Sequence, residues 1–307
     1  MYHEVPSYQK YSGQPDFEKN SADRCFEFQM RHIAEQMNPI SLTTLAGHLN
    51  HREPLPPKSV AVTFDDGIDS IYFYAYPILK KFRIPATVFI SPGYVETSSS
   101  YWWEKIRGII KKTDKKEIDL KIFEDLKGMA PLEYHRDKIP IRRVGQINRA
   151  IHFLVEWVKS IDHESIPHAL ERLRIDLAVK EEDIRVPPMM TWSQIKEMSD
   201  EKIEIGAHTV NHPNLLRIDL SEATNEIKQS KRMIEEKIQK NVGGFAYPFG
   251  QHNHYDNRIR KLVVDAGFRY SCTASPGKVT SQTDVYSLPR ITLSNELFYL
   301  NILRLMK

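Results

Sequence analysis

The chain of 307 residues holds only two cysteines, Cys25 and Cys272, far apart and in no metal-binding or redox spacing. A disulfide framework is therefore excluded, and both are expected to be reduced, partly buried thiols. No run of about 20 apolar residues occurs, so no segment reads as a membrane-spanning helix. The start, Met1-Tyr2-His3-Glu4-Val5-Pro6, lacks the basic opening and apolar core of a secretory signal. The expected location is the cytoplasm, or at most the inner face of the membrane. Lysine and arginine do not interleave with aromatics in a nucleic-acid motif, and the formal net charge is only +3, so no nucleic-acid partner is expected. Internal repeats are absent.

What is present is ordinary for a soluble globular chain: 41% hydrophobic and 27% charged residues. Short β-type runs alternate with helical periodicity. Strands are expected at 59–64, 85–90, 203–207, 244–247, 268–273 and 285–292, with a short link or strand at 38–42. Helices are expected at 17–36, 75–82, 192–198, 222–240 with Ser221 as its cap, 256–266 and 295–306. Strand and helix in alternation with short links imply parallel βα units. From about residue 97 to 188 the pattern changes. Charges become dense, β-branched runs vanish, and apolar residues recur at helical spacing (Trp103, Ile106, Ile109, Ile110; Ile147, Ile151, Leu154, Val155, Val158). A structureless loop of that length is improbable, so the segment reads as a helical insertion in a single domain spanning 1–307.

Two strand ends carry chemistry. Thr63-Phe64-Asp65-Asp66-Gly67 closes one apolar run, and His208-Thr209-Val210-Asn211-His212 follows another. One carboxylate with two imidazoles leaves an open coordination position, as a catalytic divalent metal requires, and the second carboxylate is free to act as a base. Adjacent aspartates alone are common solvated turns. His-x-x-x-His alone lacks the glutamate of a zincin and follows a strand instead of lying inside a helix. Both motifs, with Tyr247-Pro248-Phe249-Gly250, fall at the C-terminal ends of expected strands, where such folds gather their chemistry.

In these residues the chain resembles the polysaccharide deacetylases, the NodB-homology group or carbohydrate esterase family 4. Thr63–Gly67, His208–His212 and Tyr247–Gly250 are similar to that family's first three motifs, and Leu288-Pro289-Arg290 lies where a fifth is expected. Tyr2-His3-Glu4-Val5 resembles the opening of a branch found in surface-glycan pathways, where an apolar strand normally comes first, so the first strand is expected to be truncated. The resemblance spans roughly 1–95 and 189–295. It implies an incomplete (β/α)7 TIM-like barrel of α/β class. It implies Asp66, His208 and His212 as ligands of a divalent metal, zinc first, with Co2+, Ni2+ or Mn2+ also suited. Asp65 is then the general base, and a backbone N–H near Phe249 holds the oxyanion. Tyr247 and Trp102 are the expected substrate contacts. The implied partner is an N-acetylated glycan, in a surface polysaccharide or its lipid-linked precursor.

Two departures bear on mechanism. The arginine that orients the base in many members is replaced by Ala246, and the fifth-motif histidine is replaced by Arg290. An arginine keeps its proton at neutral pH and cannot easily act as the acid, but it could pair with Asp65. His252 and His254 are then candidate proton donors, and a surface role is their plainer reading. Trp102 and Trp103 suit stacking on sugar rings, though Trp103 also fits the apolar helical stripe. Two other functions fit the same residues: deacylation of a small amide or formyl-amino sugar, and glycan binding without turnover.

Overall fold

The computed structural model describes residues 1–3, 22–97, 99–126 and 137–293. The expected helix at 295–306, the first turn of the expected helix at 17–36, and the Cys25 side chain lie outside the described atoms. In chain order the helices are α1 (Ala22–Gln36), α2 (Leu42–His51), α3 (Tyr76–Phe82), α4 (Trp102–Lys112), α5 (Val144–Val158), α6 (Ile166–Asp176), α7 (Trp192–Asp200), α8 (Leu220–Ile238) and α9 (Asn257–Asp265). The strands are β1 (Asn38–Pro39), β2 (Ser59–Val60), β3 (Val62–Phe64), β4 (Ala86–Ile90), β5 (Glu117–Asp119), β6 (Lys138–Pro140), β7 (Glu204–Ala207), β8 (Gly244–Ala246) and β9 (Tyr270–Cys272).

Five strands make one parallel sheet in the order β3-β4-β7-β8-β9. All five residues of β4, Ala-Thr-Val-Phe-Ile, are buried, as a parallel strand covered on both faces requires. Each edge strand gains one isolated parallel bridge, Tyr2 to Phe64 on β3 and Leu288 to Cys272 on β9. The two added segments then meet, with Leu293 N donating to Met1 O at 3.1 Å. Five strands and two single bridges make seven positions around a curled sheet, the incomplete (β/α)7 barrel of α/β class expected from the sequence.

The expected strand at 285–292 is reduced to that one bridge. Pro289 has no N–H to give, and the Tyr286 carbonyl is taken by the hydroxyls of Tyr247 (3.0 Å) and Ser271 (2.7 Å). The helix read from Ala75 starts earlier, as a π-helical turn over Ile71–Ala75 leading into α3. Helix α8 starts one residue before Ser221. Its cap is Asp219, whose carboxylate accepts from Glu222 N at 2.8 Å. Cys272 is fully buried, and burial pushes its thiol up to about 12.

Residues Thr97–Pro188 form a second compact unit. Ile106, Ile109 and Ile110 of α4 and Ile151, Leu154 and Val158 of α5 are buried there. Contrary to a purely helical reading, β5 and β6 pair antiparallel, with Ile118 opposite Ile139. Each of those strands has a single buried isoleucine between polar or half-buried neighbours, too short a pattern to register as alternation.

The cap assignment is testable by urea denaturation. Asp219→Ala is expected to cost about 1 kcal/mol, the usual worth of an N-cap, and Ser221→Ala clearly less. The reverse order would return the cap to Ser221.

Candidate active site

Three chain reversals at strand ends build the site, and each needs left-handed backbone. Asp66 (φ +75°) and Gly67 (+78°) follow β3, Thr209 (+62°) and His212 (+55°) follow β7, and Phe249 (+59°) and Gly250 (+56°) follow β8. Asparagine and aspartate tolerate this region, but an aromatic or β-branched residue there stores strain that its surroundings must hold. Local hydrogen bonds supply part of that hold. His208 N donates to Ile90 O at 2.9 Å, and His212 N donates to Thr209 Oγ1 at 3.0 Å.

The reversals bring Asp66, His208 and His212 together, all buried, with one ligand atom of each within 4.8 Å of the others. Asp66 Oδ1 lies 3.7 Å from each Nε2, and the two Nε2 atoms lie 3.1 Å apart. The Nδ1 of His208 lies 2.7 Å from the Ala246 carbonyl, which fixes that nitrogen as the N–H and leaves Nε2 with its lone pair. Desolvation lowers the pKa of His208, and of His212 further, so both rings are neutral at pH 7. Three potential ligand atoms that converge in so buried a place suit a cation between them. An ion with bonds of about 2.1 Å spaces its ligand atoms about 3–3.5 Å apart, so the group fits a divalent metal.

Asp65 sits behind this group, and Arg290 grips it with two parallel bonds, Nη1 to Oδ1 at 2.7 Å and Nη2 to Oδ2 at 2.6 Å. Arg290 Nε donates to Thr273 O at 2.7 Å, and both side chains are buried. Burial alone would push the Asp65 carboxyl up. The guanidinium, with help from nearby imidazoles, outweighs it and holds the group well below the usual carboxylate range. Arg290 thus fixes the orientation of the Asp65 carboxylate, the pairing expected from the sequence once residue 246 is an alanine. Ala246 contributes its backbone carbonyl instead.

His3 is a site residue to which the sequence analysis gave no role. Tyr2 pairs with Phe64 and stacks on it at 5.4 Å, so strand alternation turns His3 to the Asp65 side. Its ring is solvent-accessible, yet desolvation first, then Arg290 and His208, bring its pKa down to about 4 despite the opposing pull of Asp65. The signal was the in-register pairing of the opening residues with β3, which one bridge cannot announce in a sequence.

The other expected site residues divide. The Phe249 ring packs edge-on against His212, with centroids 4.7 Å apart. Tyr247 is 1% exposed, stacked on Tyr255 at 4.2 Å, with its hydroxyl bonded to Tyr286 O and Ser271 Oγ. It is a core residue, and the substrate-contact reading is corrected. Trp102 is also buried, edge-on to Trp103, and offers little face to a sugar. Trp103 stacks on Tyr101 at 4.4 Å. His252 is exposed, whereas His254 is buried with its ring 5.4 Å from that of Phe249.

The sequence profile of the polysaccharide deacetylases matches residues 52–119 and 146–271. The chain belongs to the polysaccharide deacetylase family. Its members are hydrolases of amide C–N bonds, and the match runs into both ends of the insertion while leaving His3 and Arg290 outside. Among curated relatives, a poly-beta-1,6-N-acetyl-D-glucosamine N-deacetylase of Staphylococcus epidermidis is 23% identical over 278 residues, which is 90% of this chain and 68% of the relative. Among solved structures, the Streptococcus pyogenes deacetylase PplD in complex with acetate superposes with a TM-score of 0.59 at 20% identity, covering 93% of this chain and 87% of that one. IcaB from Ammonifex degensii gives 0.56 at 18%, covering 97% and 91%. These structural likenesses establish the deacetylase fold for the chain.

Removing the guanidinium leaves a buried charge unpaired, so Arg290→Met is expected to cost about 3–5 kcal/mol at pH 7 in urea denaturation. Asp65 is depressed in the folded wild type, so its contribution is full above the unfolded carboxyl range and is lost as pH falls through the folded value. In the variant, burial alone raises the carboxyl, and its penalty fades as it protonates. The gap between the two proteins should therefore narrow as pH falls, starting above the usual carboxylate range where the variant's Asp65 takes up its proton. A gap that stays constant with pH would mean that Arg290 acts through packing alone.

Proposed function

We propose that the protein is a metal-dependent N-deacetylase acting on N-acetylated amino sugars of a surface polysaccharide. The observation that carries this reading is the buried Asp66–His208–His212 group with a second carboxylate, Asp65, beside it in the grip of Arg290. The curated relatives support the substrate class, since the 23% identical protein is by name an N-deacetylase of a β-1,6-linked N-acetylglucosamine polymer.

Asp66, His208 and His212 would hold the cation. Two imidazoles and a carboxylate suit zinc, and cobalt, nickel or manganese to a lesser degree; the bound ion would lower the pKa of water and polarise the acetyl carbonyl. Asp65 accepts the proton of the attacking water. Arg290 keeps both Asp65 oxygens in one plane and stays protonated throughout. The Phe249 backbone N–H, on the reversal beside His212, is assigned to the carbonyl oxygen as negative charge develops there. That negative charge raises the proton affinity of His3, which takes up the proton that Asp65 received from the water and delivers it to the departing nitrogen, leaving Asp65 ionised again. The amide C–N bond breaks, the water oxygen stays on the acyl carbon, and the products are acetate and a free amine. His3 thereby fills the vacancy left by a fifth motif that ends in arginine, and His252 and His254 are not needed.

The test is acetate release from β-1,6-linked N-acetylglucosamine oligomers by zinc-loaded protein. Asp65→Asn should keep its zinc and lose about 10²–10⁴-fold in kcat. Silence of the wild type on every N-acetylated glycan, at one bound metal per chain, would overturn the deacetylase reading. For His3→Ala the expectation is a kcat lower by about 10²-fold or more with KM little changed. An unaltered kcat would send the proton-donor role elsewhere.

A further inference from the structure

A charged residue stands on the apolar stripe of α8. The buried positions of that helix are Ala223, Glu226, Ile227, Ser230, Ile234 and Ile238, so Glu226 occupies a core position, 8% exposed. Among the described residues no cation lies within ion-pair distance of it. Burying a carboxylate there is costly unless other donors meet it. The donors come from one place. Glu226 Oε2 accepts from the backbone N–H of Val210 and of Asn211, each at 2.8 Å, and Oε1 accepts from Asn211 Nδ2 at 2.7 Å. Val210 and Asn211 are two of the three residues between the ligands His208 and His212. Successive N–H groups after a left-handed residue, here Thr209, converge into a concave site for an anion.

The opposite side of the same loop is held as well. Ser91 Oγ donates to His208 O (2.8 Å), Gly93 N to Val210 O (3.0 Å) and Tyr94 Oη to Asn211 O (3.1 Å). A Cβ at Gly93 would come within 2.5 Å of Asn211 Oδ1 and 2.7 Å of Val210 O, so the turn after β4 is pressed directly against the loop. Donors from the turn thus take the loop's carbonyls while Glu226 takes its amides.

We propose that Glu226 is a positioning residue for the metal site. Its carboxylate fills the anion nest of the 208–212 loop and holds that turn, left-handed at Thr209 and His212, so that the rings of His208 and His212 converge before a metal arrives. The inference rests on the metal reading given above, but the clamp itself is a property of the metal-free chain. The carboxylate is read here for its reach and for its two acceptor oxygens, and its charge is secondary. One glutamine oxygen can still accept both backbone N–H groups, while the glutamine amide can donate to a rotated Asn211 side chain.

The experiment measures zinc affinity of the full chain by competition with a chromogenic chelator. It is read beside backbone amide exchange of the metal-free protein at Val210 and Asn211. Glu226→Ala is expected to bind zinc about 10–100-fold more weakly and to lose protection at both amides, with exchange in β4 and β8 unchanged. Glu226→Gln should stay within about threefold of wild type. Glu226→Asp, which keeps the charge and shortens the reach by one methylene, should resemble the alanine variant and decides the matter if that variant fails to fold. Wild-type affinity and protection in Glu226→Asp would overturn the proposal, as would equal losses in the alanine and glutamine variants. If the wild type itself binds no zinc, the metal reading fails, and exchange at Val210 and Asn211 still decides whether the clamp exists.

Discussion

A carboxylate and a guanidinium that are 225 positions apart share a site with almost no water, and the architecture hangs on that contact. The sheet is open: β3 and β9 are its two edges, and among the described residues only single bridges and a few terminal hydrogen bonds reach across. Asp65 leaves one edge and Arg290 comes from the segment laid along the other, anchored to Thr273 O. Their pairing ties the ends of the curl. The same pairing keeps a buried acid ionised, with both oxygens directed, next to the group read as a metal site. The tie between the two ends of the curl and the orientation of the Asp65 carboxylate are therefore one interaction.

Around it the protein concentrates conformational strain. Most other non-glycine residues in left-handed backbone terminate helices, as Arg52, Arg83 and Gln239 do. Those at the site do not. Asp66, Thr209, His212 and Phe249 turn sharply where the strands end, and each turn is held by hydrogen bonds or ring contacts from a neighbouring element. Rigid turns of this kind let short loops present three ligand atoms at metal-like spacing without a preceding helix, the arrangement a zincin uses.

Much of this was readable in the residues. Asp65-Asp66 and His208–His212 are local motifs whose spacing carries its own chemistry, and the strand runs before them are short and continuously apolar. Arg290 was readable as a partner for Asp65 only because the expected histidine was missing. Other features resisted for physical reasons. Tyr247 lies inside a motif, and motif membership does not tell a side chain pointing into the site from one pointing into the core. Trp102 is an aromatic at a helix start, and pattern alone cannot separate a stacking face from a packed one. His3 and Glu226 work through tertiary neighbours, one across an isolated bridge and one across the gap between a helix and a loop. Asp219 preceded Ser221 by two positions, within the usual error of a helix boundary.

The ring of His208 is steadied by the carbonyl of Ala246, a group that every amino acid carries. Whatever side chain stands at 246, that support survives. The position is thereby released from duty toward the histidine, and its side chain is at liberty to drift once another cation can reach Asp65. With Arg290 paired to Asp65, the chain keeps the His208 support while residue 246 carries only a methyl group. Backbone support of this sort makes an active site tolerant of exchange among the parts around it, and it gives a lineage room to relocate a charge.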